Sequence, residues 1–209
     1  GDLTLSAGST DDVTVEGGDV SVTAGPAKGE GSTGGRVIIT GGSGENTDSE
    51  DGGNGGDVIL TSGAARGSNN VTDLGGDMII SAGSAAASYG GNVVMMSGYS
   101  NGTSSGDLAT GTADAGFYGV SGGVSTFTGM ATAGSSGSIA FQTGSAQLGA
   151  GGDISLQVGV GDTGDGGSLI GTAGTTTDLS SAGGDIVFAA GEATAEASAG
   201  GRVVISGGL

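Results

Sequence analysis

A chain of 209 residues with 52 glycines, one proline and no cysteine, histidine or tryptophan is not an ordinary layered domain, since glycine usage in globular proteins averages about 7%. Its 22 acidic and 4 basic side chains leave a net charge of −18, which excludes nucleic acid and anionic membrane as partners, because both demand a positive surface. Disulfides and thiolate metal sites are excluded with cysteine, and no stretch approaches the roughly 20 apolar residues of a membrane span.

Glycine does not recur at every third residue, so the chain is not collagen. Instead a nonapeptide repeats thirteen times, with good copies at residues 17–25, 55–63, 75–83, 151–159 and 183–191. The second glycine of the unit serves as its anchor. In chain order the anchors are Gly1, Gly18, Gly35, Gly56, Gly76, Gly91, Gly106, Gly122, Gly137, Gly152, Gly167, Gly184 and Gly201, spaced by 15 to 21 residues. Two residues past every anchor stands an aliphatic side chain, from Leu3 and Val20 through Val58 and Ile154 to Val203. Four past it the residue is mostly apolar, as in Leu5, Val22, Leu60 and Phe188. Period two puts both positions on one face of a strand, and that face is the expected core. Seven past the anchor comes a second glycine, replaced once by Ala113, expected as a corner where the backbone turns with positive φ or passes close to a neighbour.

These elements predict an all-β fold, a right-handed parallel β-solenoid (β-helix) of about thirteen coils with 15 to 21 residues each, forming a single repeat domain over residues 1–209. A unit of this length cannot bury an apolar face alone, but stacked units can. The handedness follows from the general preference of parallel crossovers. Two coils are swollen, and their extra residues form polar insertion loops at 41–54 and 64–74. The repeat is in frame at both ends, so the chain is expected to be a segment of a longer array or to stack head to tail.

One residue past the anchor, aspartate predominates: Asp2, Asp19, Asp57, Asp77, Asp107, Asp153 and Asp185, with Arg36 and Arg202 interspersed. In a stack these would form a column at about 4.8 Å intervals, read either as a row of cation sites or as corner hydrogen bonding with local ion pairs. Loop 41–54 gathers Asp48, Glu50 and Asp51, oxygen ligands of the kind calcium takes from flexible loops; a solvated acidic loop is the alternative. Two N-glycosylation acceptors occur, Asn70-Val71-Thr72 and Asn101-Gly102-Thr103, in returns expected to face solvent. Three past the anchor, Ile38, Ile59, Ile79 and Val94 are apolar where an outer face should be polar, which marks an assembly face.

No enzyme is expected. Gly29 to Gly34 matches G-x-G-x-x-G, but it precedes an expected strand instead of opening a helix. Asp162-Thr163-Gly164 lacks the second carboxylate that an aspartic protease needs. With no histidine or cysteine, and Lys28 the only lysine, no base or nucleophile has a converging partner.

The Gly106 to Gly174 stretch, with GGVS at 122–125, GGDISL at 151–156 and GDTGDGG at 161–167, resembles the Gly/Ser/Thr-rich repeat proteins of diatoms and related stramenopile algae. The resemblance extends over most of the chain and implies a secreted or cell-surface role, without site residues. The expected function is therefore an extracellular structural or adhesive filament or matrix module, self-associating by stacking and lateral packing. Its expected partners are other copies of itself, head to tail or side by side, with carbohydrate or another matrix protein as further possibilities. The alternative is a solenoid that binds ice, carbohydrate or calcium, with calcium the one cofactor admitted.

Overall fold

A computed structural model of the chain describes every residue except Val13, Asn70 and Leu209. It divides into two units, Gly1–Leu108 and Ala109–Leu209. In both, the repeat resolves into two alternating kinds of segment. From each anchor to the glycine seven residues on, the chain runs without helix, turn or bend. Turns and bends all fall in the returns between runs: at 14, 29–31, 49–51, 71–72, 86–88, 101–103 and 117–118, and onwards at 132–134, 147–149, 162–165, 179–180 and 195–197. Glycine, serine, threonine and aspartate concentrate there: glycine gives the backbone freedom to turn, and the serine, threonine and aspartate side chains bond turn amides. Asp12 Oδ1, for example, accepts the N–H of Thr14 at 2.9 Å and its hydroxyl at 2.9 Å.

The expected β-solenoid is not formed. No strand or helix occurs among the described residues, so neither the parallel β-helix nor its coils are present. The reason lies in where the backbone hydrogen bonds go. Every inter-residue backbone bond among the described residues lies within a return or ties the end of one run to the start of the next at its neck, and none pairs the interiors of two runs. Period-two apolar residues suit an extended chain, but a ladder also needs a donor and an acceptor facing each other at every second residue. The runs lack that partner, and the aspartates one past the anchors consequently form no column at strand spacing.

What the glycines do is close the returns. Gly18 donates its N–H to the carbonyl of Gly8 at 2.9 Å, and the same bond joins Gly35 to Gly25, Gly56 to Gly42, Gly76 to Gly63, Gly91 to Gly83, Gly106 to Gly98, Gly184 to Gly174 and Gly201 to Gly191, at 2.8 to 3.0 Å. The bond tolerates returns of very different length, from Gly83–Gly91 to Gly42–Gly56, in keeping with the weak dependence of loop-closure entropy on length.

The two glycines of each neck are not equivalent, and the one seven past the anchor does not have the corner geometry expected of it. At the seventh position no left-handed φ occurs, and a Cβ there would meet nothing within 4 Å, as at Gly8, Gly25, Gly63 and Gly83. At the anchor the space is filled: a Cβ on Gly18 would lie 3.2 Å from Ala7 Cβ and 3.3 Å from Gly8 N. The anchor is therefore the position that needs glycine. Left-handed backbone appears instead inside the returns, at Gly31, Gly134 and Gly164 and at the non-glycine residues Leu148 (φ 60°) and Ala197 (φ 67°).

Candidate functional site

Among the described residues none of the large apolar side chains is buried, and the molecule presents 20513 Å² of accessible surface. A compact protein of 19.2 kDa presents roughly 8,400 Å² and its unfolded chain roughly 27,800 Å². The chain thus keeps most of its apolar surface in contact with solvent. Exposure still follows the repeat. Val58, two past its anchor, is 49% exposed, Ile59 beside it 79% and Leu60 63%; Met78, Ile79 and Ile80 give 52%, 84% and 65%. The second and fourth positions share one side of the run and the third takes the other.

Ile38, Ile59, Ile79 and Val94 all lie on the open side and are among the most exposed aliphatic side chains of their runs. No backbone ladder sets them edge to edge. Each forms instead the centre of a short apolar triplet, such as Val37-Ile38-Ile39 or Val93-Val94-Met95, that is open on both sides.

In the acidic return Asn46 is the organiser. Its Nδ2 donates to the Asp51 carbonyl at 3.1 Å, its Oδ1 accepts the Asp48 N–H at 3.0 Å, and its own carbonyl accepts the Gly53 N–H at 3.0 Å. Asp48 Oδ1 in turn accepts the Glu50 N–H at 2.9 Å. Asp48 therefore engages the turn through its carboxylate, Glu50 through its amide and Asp51 through its carbonyl. No group of three or more acidic, histidine or cysteine side chains among the described residues is gathered so as to hold a metal ion, and no pocket occurs among them. In the neighbouring return Asp73 accepts the Asn69 N–H at 2.8 Å, and its carboxylate occupies the space a Cβ on Gly67 would need.

Two carboxylates lie below the ordinary aspartate range. The backbone N–H of Thr14, followed by its hydroxyl, lowers Asp12, and the Ser181 hydroxyl is the main cause of the same shift at Asp178. Donors that bond the ionised form favour it.

Of the two glycosylation acceptors, Asn70 lies outside the described residues. Asn101 sits at a bend in the 98–106 return, beside Tyr99, whose hydroxyl donates to Asn101 Oδ1 at 3.3 Å. The sequence alone did not single out Asn46, Tyr99 or the side chain six past each anchor. The last was visible, since that position carries only Gly, Ala, Ser, Thr or Val throughout the repeat. No family model, no curated protein and no solved structure matches this chain.

Proposed function

We propose that this chain is an extracellular structural or adhesive module whose apolar triplets pack laterally against those of other copies. The observation that carries the reading is the exposure of every apolar triplet in a chain whose returns recur regularly and are mostly closed by a neck bond. Ordering the backbone costs about 1–2 kcal/mol per residue, whereas a neck hydrogen bond returns only about 0.5–1.5 kcal/mol. Internal bonds of this kind are far too few to offset the ordering of the runs. Burying one isoleucine or valine contributes about 1.5–3 kcal/mol, so triplets covered by a second chain supply the missing term.

A second copy is the occupant the repeat favours, because its triplets recur with the same chemistry and the same spacings. Lateral packing replaces the rung-on-rung stacking that a solenoid would have allowed. The charge of −18 opposes it at long range, so association strengthens as salt screens the repulsion, within a Debye length of about 10 Å at 0.1 M. An acidic, glycine-rich surface with short hydroxylated returns suits an extracellular matrix, the setting implied by the resemblance to the algal repeat proteins. Electron microscopy of the chain concentrated in salt tests the reading: laterally associated fibres or sheets are expected, and dispersed single chains under all conditions would defeat it.

A further inference from the structure

The return closed by the Gly106 N–H to Gly98 carbonyl bond, at 3.0 Å, carries one of the chain's two N-glycosylation acceptor sequences, Asn101-Gly102-Thr103. Its conformation is set by Ser100. The Ser100 hydroxyl accepts the N–H of Thr103 at 3.0 Å and that of Gly102 at 3.3 Å, and shares a hydrogen bond with the Thr103 hydroxyl at 3.1 Å. Asn101 is thereby placed at the bend, exposed, with no side chain on Gly102 to crowd it.

Tyr99 supplies the second observation. It lies two residues before Asn101 on the same side of the chain, and its hydroxyl donates to Asn101 Oδ1 at 3.3 Å. That bond engages the amide oxygen and not Nδ2. The ring itself is 86% exposed, an uncovered aromatic surface whose hydroxyl end reaches the Asn101 amide. An aromatic ring in water offers a flat apolar surface with a negative face, and the C–H face of a pyranose is its natural complement.

We infer that Asn101 is an N-glycan attachment site and that Tyr99 is the platform on which the first sugar rests. The inference rests on the extracellular placement proposed above and is independent of self-association. The co-reactant is a lipid-pyrophosphate-linked oligosaccharide with N-acetylhexosamine at its reducing end. Asn101 Nδ2 forms a bond to the anomeric carbon as the bond from that carbon to the pyrophosphate oxygen breaks. The lipid pyrophosphate leaves with the electron pair, and Nδ2 loses one proton to a base of the transferase. No oxidation or reduction occurs. The added sugar then lies against the ring, where Tyr99 shields the linkage.

The test directs the full chain through the secretory compartment of a glycosylating eukaryotic cell, beside a secreted control glycoprotein. Enzymatic release of N-glycans in heavy-oxygen water marks each formerly occupied asparagine, and peptide mass spectrometry reads the occupancy. Asn101 is expected to be occupied in most molecules, and Thr103→Ala to abolish this. Tyr99→Ala is expected to lower occupancy by roughly threefold, in line with the modest strength of aromatic contacts, while Tyr99→Phe, which keeps the ring, retains most of it. Ring-current shifts of the first sugar's protons should be present in the natural chain and absent from Tyr99→Ala. A bare Asn101 alongside a glycosylated control overturns the site, and unchanged occupancy and sugar shifts in Tyr99→Ala overturn the platform. A glycosylated chain that fails to associate counts against the self-association reading alone.

Discussion

The Cγ2 methyl of Thr112 lies 3.2 Å from the place a Cβ would take on Gly122, and this contact divides the necks of the molecule into two kinds. Where the residue six past the anchor is Ala, Ser or Gly, as at Ala7, Ala24, Gly41, Ser62, Ala82, Ser97, Ala173 and Ala190, the next anchor donates to the neck carbonyl. Where it is Thr112, Thr128, Thr143 or Val158, the nearest atoms to the next anchor belong to that β-branched side chain, and no neck bond forms. A branched Cβ has little freedom to turn its methyl away, so it holds the anchor amide off the carbonyl. Thr112→Ala is expected to create a bond from the Gly122 N–H to the Ala113 carbonyl, and Ala24→Val to remove the bond from Gly35 to Gly25. Amide hydrogen exchange at Gly122 and Gly35 should slow and quicken respectively by about three- to tenfold, the range set by one hydrogen bond.

The inequality of the two neck glycines gives a second prediction. Gly18→Ala places a methyl within 3.2 Å of Ala7 Cβ and 3.3 Å of Gly8 N, whereas Gly8→Ala meets nothing within 4 Å. Alanine at the anchor should therefore open the neck and quicken exchange of the residue 18 amide, while alanine at position 8 leaves it unchanged. Equal effects of the two substitutions, read by NMR, would show that the anchor is not the crowded position.

Leu148 carries a side chain at φ 60°, where a residue with a Cβ sits about 1–2 kcal/mol above its ordinary conformations. Glycine has no such penalty but loses more freedom on ordering. Leu148→Gly should accordingly favour the bend at 147–149 by up to about 1 kcal/mol, seen as a larger population of positive φ in backbone couplings. Ala197→Gly should do the same in the 191–201 return.

Acid should loosen two returns. Asp12 and Asp178 both lie below the ordinary aspartate value, so each contributes order to its turn that is fully present above that value. The contribution is lost as pH falls through the lower folded value, where the carboxylate takes up a proton that the ordered turn resists. An NMR titration should show the Asp12 midpoint returning towards the ordinary value in Thr14→Val, which removes the hydroxyl but keeps the N–H. Because the backbone N–H is the larger cause, the return should be partial.

Much of the local order was legible in the sequence, and the association of the runs was not. The anchor series located every run and every return, because glycine and the hydroxylated residues mark where the chain bends. Val58 and Leu60 were separated from Ile59 by period two, and their exposures follow that separation. The step from runs to a stacked solenoid failed because an apolar run specifies that something must cover it without specifying what. The same Val37-Ile38-Ile39 sequence satisfies a ladder within one chain or a contact between two. The neck glycines are ambiguous for a related reason: glycine signals either a left-handed φ or a close approach, and the sequence does not say that close approach applies or that it falls at the anchor.

Sedimentation velocity reads whether the apolar triplets left open in one chain are covered by another copy. The natural chain in high salt should show a weight-average mass rising with concentration above the 19.2 kDa of a single chain. A variant carrying Ile38→Asp, Ile59→Asp, Ile79→Asp and Val94→Asp should associate far less, since each substitution removes an apolar contact and adds a charge. A natural chain that stays at 19.2 kDa at every concentration and salt, or a fourfold variant that associates as strongly as the natural one, would rule out association through the triplets.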